Sequence, residues 1–269
     1  MYDFFHLPRF LRLMKKTLLE RPFQFFGFTG AMLAILFIYY SVYHLPANQW
    51  YEIQKMTILL GLTGGGSVLA SFVFGYFTVN ATGISYLTLP ASHFEKWLCA
   101  VLITLVLYPL VFLVFFKCMD TVFVDSFHRH LDPGRKDYQE IYLRVQKYSL
   151  TDPYAKDNYV YFVNYAGAMM LGSLYFNKLG LIKSGLLIGG VFLSVYLLNL
   201  CIAKMIIGGV TNAFPFDSVD VLVSGKGWAT TRELNVPPGA RSWLDIFSEG
   251  VLPVFLWAMA YVRLTEKQF

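Results

Sequence analysis

Charge is what this 269-residue chain has least of: Asp, Glu, Lys and Arg together make up 14% of it. A water-soluble domain carries nearer ~25%, so these residues are too few to coat a surface that faces water all round. Cysteine is scarce as well. Cys99, Cys118 and Cys201 offer no C-x-x-C spacing, which removes a zinc ribbon or a thioredoxin-like redox pair from consideration. There is no G-x-x-x-x-G-K-[ST] run, so nucleotide is not expected at a P-loop. Gly64-Gly65-Gly66-Ser67 lies in apolar sequence with no lysine after it and reads as helix packing. No H-E-x-x-H occurs. His128 and His130 stand two apart, a spacing that would not put them on one helix face. No nucleophile–base pair points to a membrane-embedded hydrolase. The opening residues lack the short apolar core and small-residue site of a cleavable signal peptide.

What the chain has instead is apolar length: 56% of it is hydrophobic. Six stretches stand out, Phe25–Leu45, Thr57–Val79, Trp97–Phe116, Tyr159–Phe176, Leu181–Ile207 and Trp243–Val262. Each approaches the roughly 17–25 residues that a helix needs to cross a hydrocarbon core. Lipid supplies no hydrogen-bond partners, so such stretches must close their own backbone bonds as helices. The expected fold is an all-α integral membrane protein with six transmembrane helices. The formal charge of +5 would suggest nucleic acid for a soluble protein. Here the basic residues flank spans, so membrane lipid is the expected partner and nucleic acid is not.

Residues 1–24 form a separate unit. Leu7, Phe10, Leu11, Met14 and Leu18 recur at helical spacing, with Arg9, Arg12 and Lys16 on the other side. This pattern predicts an amphipathic helix lying in the membrane interface. Arg9, Arg12, Lys15, Lys16 and Arg21 precede the first span and hold the N-terminus in the cytoplasm by the positive-inside rule. Six spans across residues 25–269 return the C-terminus to the same side, in agreement with Arg263 and Lys267. Residues 117–158 and 208–242 then become outer loops. The first carries alternating charge around Tyr138, Ile141, Tyr142 and Val145, a solvated helix with one apolar face, between turns at Asp132-Pro133-Gly134 and Thr151-Asp152-Pro153. In the second, Val219 to Val223 alternate and Gly225-Lys226-Gly227 turns into Trp228–Val236, a short hairpin. Ser242 is placed to cap a last helix starting at Trp243.

The spans hold few ionisable groups, which argues against a self-powered ion-coupled carrier. Asn164 and Asn199 read as inter-helix hydrogen-bond partners, and Gly61/Gly65 and Gly185/Gly189 have the spacing that permits close helix approach. The most informative segment is residues 80–96, between the second and third spans and cytoplasmic on this orientation. Ile84, Tyr86, Leu87 and Leu89 make it apolar for a loop. Pro90 disfavours helix at Leu89, and Ser92-x-x-Glu95 is a capping box that starts the helix of the third span. A short surface helix, a fixed turn and a rigidly capped membrane helix form a unit able to carry a push into the bilayer.

Tyr86-Leu87-Thr88-Leu89-Pro90-Ala91-Ser92-His93-Phe94-Glu95-Lys96 resembles the coupling-helix segment of type 2 ABC exporter permeases, particularly the short permeases of Bacteroidota-like genomes. Gly172–Lys178 and the tail Tyr261–Lys267 resemble segments of the same permeases. The resemblance implies an interfacial connector helix, six spans in a bacterial inner membrane, and a separate ABC ATPase docked on the loop between spans two and three. It also implies a second permease copy or paralogue, and export as the direction. This chain would hold no cofactor and catalyse nothing; ATP and Mg would sit in the ATPase. Tyr86, Leu89, Pro90, Ser92, Glu95 and Lys96 would carry the coupling, and Phe10, Arg12 and Met14 would serve the connector helix. The outer loop after span three is longer than the compact family pattern. That loop and the hairpin leave an alternative open, a non-transporting membrane scaffold with an extracytoplasmic partner.

Overall fold

The computed structural model describes residues 5–43, 49–78, 80–134, 136–176, 178–207, 209–213, 218–225, 228–235 and 237–267. Leu45, Val79, Arg135, Asn177, Gly208, Lys226, Gly227 and Val236, which mark expected ends, turns or loop charges, lie outside the described residues. Five helical segments are long and apolar enough to cross a membrane: Phe23–Val42, Trp50–Val73, His93–His130, Gly180–Ile206 and Gly239–Thr265. The chain divides into two compact units, one formed by Met1–Leu181 with Leu256–Phe269, the other by Ile182–Phe255.

The first unit opens with α1 (Leu7–Glu20). A π-helical turn at Phe23–Gly27 leads into α2 (Phe28–Tyr43). The second crossing segment is α3 (Trp50–Ile58), a π-helical turn at Leu59–Gly65, and α4 (Gly66–Val73). A 3-10 turn at Gly75–Thr78 precedes the short α5 (Asn80–Leu87). The third segment is α6 (His93–Leu102), a π-helical turn at Ile103–Leu107, and α7 (Tyr108–His130). The third helix therefore runs past the expected end at Phe116, and the first part of the expected outer loop is helix. Then come α8 (Tyr138–Arg144) and α9 (Pro153–Tyr175). Asp152 caps α9 by accepting from Tyr154 N at 2.9 Å, with Pro153 at the first helical position.

Small residues set the packing. Ser67, Ala70 and Ser71 of α4 are buried, as are Ala166, Gly167 and Ser173 of α9, and these two helices pack closely. A Cβ on Gly61, Gly65 or Gly66 would collide with the rings or hydroxyl of Phe112, Tyr108 and Phe162, so the predicted glycine approach exists, with aromatic rings as the partner surface. Asn164 Nδ2 donates to Val160 O of its own helix at 3.0 Å. At the far end of this unit from α5, Asp120 is fully buried. It accepts from Tyr40 Oη and Gln54 Nε2, both at 2.7 Å, and from Tyr148 N at 2.8 Å. That carboxylate, expected in a solvated loop, joins α2, α3, α7 and the segment after α8.

The second unit contains most of α10 (Gly180–Ile206), an antiparallel sheet, α11 (Pro238–Ile246) and the first residues of α12 (Leu252–Thr265), with a π-helical turn at Phe247–Val251. The sheet has the order β1-β2-β3, from Val210–Ala213, Ser218–Gly225 and Trp228–Asn235. Gly225 pairs with Trp228, so β2 and β3 are the expected hairpin; β1 is an addition to the all-α expectation. Ala203, Val210 and Ala213 form its core with Leu200, Val219 and Val221. Asn199 Nδ2 donates to Ala213 O at 3.2 Å, so this amide joins helix to strand. Ser242 is not a cap: the helix starts earlier, with Pro238 in its first turn. Among the described residues nothing lies within 4 Å of a Cβ on Gly185 or Gly189, so no close helix approach is seen there.

Candidate functional site

The start of α6 is built as the sequence predicts. Ser92 Oγ accepts from Glu95 N at 3.1 Å, and Glu95 Oε2 accepts from Ser92 N at 3.0 Å, a closed capping box. Three more donors reach the same carboxylate. Arg9 Nε meets Oε2 and Arg9 Nη2 meets Oε1, both at 2.8 Å, and His6 N donates to Oε1 at 2.8 Å. Glu95 is 0% exposed. Its oxygens are therefore consumed inside the chain, and they fasten the start of α1 to the start of α6.

The neighbouring Lys96 turns the other way. It is 1% exposed, and its Nζ donates to Leu87 O at 2.8 Å and Leu89 O at 3.3 Å. Those carbonyls belong to the end of α5 and the turn after it, where a helix leaves acceptors unpaired and a cation is favourable. Tyr86, the last full turn of α5, is buried. Its ring stacks on Tyr76 at 4.5 Å and meets Phe77 edge-on at 5.9 Å. Burial pushes the Tyr86 phenol well above its ordinary pKa, so the group stays neutral. The Arg21 guanidinium lies 4.1 Å from the centroid of the Tyr76 ring. Two adjacent residues of α6 thus hold two different elements, α1 through Glu95 and α5 through Lys96.

The six residues expected to couple to a partner divide accordingly. Tyr86, Glu95 and Lys96 are interior, Leu89 and Ser92 are half-buried, and Pro90 is exposed. Of the connector residues, Phe10 is buried, Met14 half-buried and Arg12 exposed. The surface itself includes Ile84, Ser85, Thr88 and Pro90, of which only Pro90 belongs to the expected set. Arg9 and His6 are the other residues the sequence did not single out as partners of this site. The tail arrives at the same face: Trp97 Nε1 donates to Trp257 O at 3.0 Å, Tyr261 packs edge-on to Trp97 at 5.8 Å, and the Lys267 ammonium lies 5.6 Å from the Phe77 ring centroid. A cleft of ≈ 170 Å³ opens between α1 and α5, with Lys16 and Glu20 on one side and Ser85, Tyr86 and Leu89 on the other. Comparisons of the chain with protein-family models, with curated proteins and with solved structures found no match.

Proposed function

We propose that the chain is the membrane permease subunit of an ATP-driven transporter, with six crossings and with both termini and residues 80–96 on the cytoplasmic side. A separate ATPase would dock on the face made by α1, α5 and the first turn of α6. The observation that carries this reading is the double grip of Glu95 and Lys96, because it makes α1, α5 and a long membrane helix move as one body. A push on Thr88 and Pro90 would travel through Lys96 into α6 and through Glu95 into α1. Transport follows if the docked ATPase stabilises one arrangement of the spans more than the other. The resemblance of residues 86–96 to type 2 ABC exporter permeases supplies the partner class, the export direction and the second permease copy or paralogue.

Chain parity supports six crossings. Arg9 touches Glu95, so the chain between them leaves this face and returns. Trp97 touches Trp257, so residues 98–256 also leave and return. Both excursions need even numbers of crossings, which five spans cannot supply. Helix α9 is the remaining candidate; its Tyr-rich, amide-bearing sequence lowers its hydropathy without shortening it.

The test is purification of the native complex followed by an ATPase assay. An ATPase should be recovered with the wild-type chain. Leu89→Asp should reduce that recovery. Lys96→Met should keep the partner but lower stimulated hydrolysis about tenfold, the size of a coupling of 1–2 kcal/mol. Recovery of no ATPase, or both variants behaving as wild type, would sink the reading. The scaffold alternative draws on the β1-β2-β3 sheet, whose outer strand β3 pairs on one side only among the described residues; a neighbouring reading frame without a P-loop ATPase would favour it.

A further inference from the structure

Helix α1 has three sectors, not the two of a simple amphipathic helix. Phe10, Leu13 and Thr17 are buried against the bundle. Next to them around the axis come Leu7, Leu11, Met14 and Leu18, of which Leu7 and Leu11 are 57% and 55% exposed. Leu7 and Leu11 are left uncovered by the described residues while Met14 and Leu18 are half-buried, and the chain continues from α1 into Phe23 and Phe26, which are also exposed. Beyond this apolar sector lie Arg12, Lys15 and Lys16, with the exposed Leu19 among them; all three cations are exposed, and their side chains make no ion pair or hydrogen bond with any described residue. Arg12 stands three residues from Lys15 and four from Lys16, so the three cations crowd one another, an arrangement that is unfavourable without an anion between them. Lys16 has Glu20 one turn on and yet does not pair with it.

We infer that Arg12, Lys15 and Lys16 form a headgroup site for anionic phospholipid, with Leu7, Leu11, Met14 and Leu18 meeting the acyl chains beneath. The order of the sectors is what selects lipid over a protein: the partly uncovered apolar sector lies beside the cationic one, as the acyl and phosphate layers of a leaflet lie beside each other. The Arg9–Glu95 clamp fixes the rotation of the helix, so the cations are held at that level. Each contributes roughly fivefold to attraction for an anionic surface, the equivalent of ~1 kcal/mol per basic residue. The site does not depend on the transport reading.

The test uses the full chain reconstituted in bilayers of phosphatidylcholine containing phosphatidylglycerol, with the lipids retained on release counted by native mass spectrometry. Wild type should retain phosphatidylglycerol in preference to phosphatidylcholine. The triple variant Arg12→Gln/Lys15→Gln/Lys16→Gln should lower that preference about 100-fold, while Arg12→Lys/Lys15→Arg/Lys16→Arg and the distant Lys136→Gln should keep it. All three residues are exposed, so the Gln variant should melt with the wild type. No preference in wild type overturns the inference. So does a preference that survives the triple Gln variant, including the case in which that variant instead loses a protein partner. Displacement of the lipid by excess inorganic phosphate alone would also overturn it, because the site would then read phosphate and not a bilayer.

Discussion

Glu95 accepts from four donors inside the chain, and this decides what its loss would do. A buried carboxylate stripped of its cation keeps the desolvation cost and loses the compensation, a change of about 3–5 kcal/mol for a fully buried pair. Arg9 is 27% exposed on its side chain, so the lower end applies. Arg9→Ala should destabilise the detergent-solubilised chain by about 3 kcal/mol in thermal or denaturant unfolding. Glu95→Gln in that background should recover part of the loss, because glutamine also closes a capping box and carries no charge. If the double variant is no more stable than Arg9→Ala, the carboxylate is not the stranded group. The sequence made half of this site legible. Ser92-x-x-Glu95 is a local pattern, complete within four residues, whereas Arg9 and His6 reach Glu95 from more than eighty residues away and no local rule pairs them. Asp120 was missed for the same reason: its donors Tyr40, Gln54 and Tyr148 come from three other segments.

Four of the five segments long and apolar enough to cross a membrane share a device that hydropathy does not reveal, a π-helical turn. Pro109 would press its ring on the carbonyl of Leu105 in a regular α-helix, and the π-helical turn Ile103–Leu107 falls across that position. Pro253 and Glu249 stand in the same relation, within the turn Phe247–Val251. The wider turn moves the obstructed carbonyl aside and lets the helix continue. The turn at Leu59–Gly65 has no proline and is instead pressed by rings, since Tyr108 Oη donates to Gly61 O and occupies the space where a Gly65 Cβ would stand. The glycine spacing was readable; that the partner would be a tyrosine hydroxyl was not, because spacing reports room and not what fills it. Gly65→Ala should therefore cost about 2 kcal/mol by overpacking. Tyr108→Phe alone should cost about 1 kcal/mol for the lost hydrogen bond. Since the hydroxyl is both the clash and the bond, the double variant should be more stable than the sum of the two predicts. Strict additivity in a double-mutant cycle would show that the two residues do not meet.

At the scale of the molecule, the issue is whether α9 crosses. The hydropathy of the sequence located all six stretches, but it ranks the fourth lowest because tyrosines replace leucine and valine there, as at Tyr159, Tyr161 and Tyr165. Burial explains that choice: α9 turns Phe162, Ala166, Met170 and Leu174 inward and packs on α4, which presents Gly66, Ser67 and Ser71, so much of its surface meets protein and not lipid. A helix sheltered in this way needs less hydrophobicity to reside in the bilayer. Single cysteines on either side of it give opposite expectations for the two topologies. Gln139 lies before α9, Lys178 after it and Pro90 in the turn beyond α5, and all three are exposed. The exposed Cys118 and Cys201 would first be replaced by serine, leaving the buried Cys99 in place. With six crossings, an impermeant maleimide applied to inverted vesicles should label Pro90→Cys and Lys178→Cys and spare Gln139→Cys, and right-side-out vesicles should give the reverse. If α9 stays on one side, Lys178→Cys will follow Gln139→Cys instead. The tail that packs on Trp97 would then have no even path back, and the shared face for both termini and the 80–96 loop would fail with it.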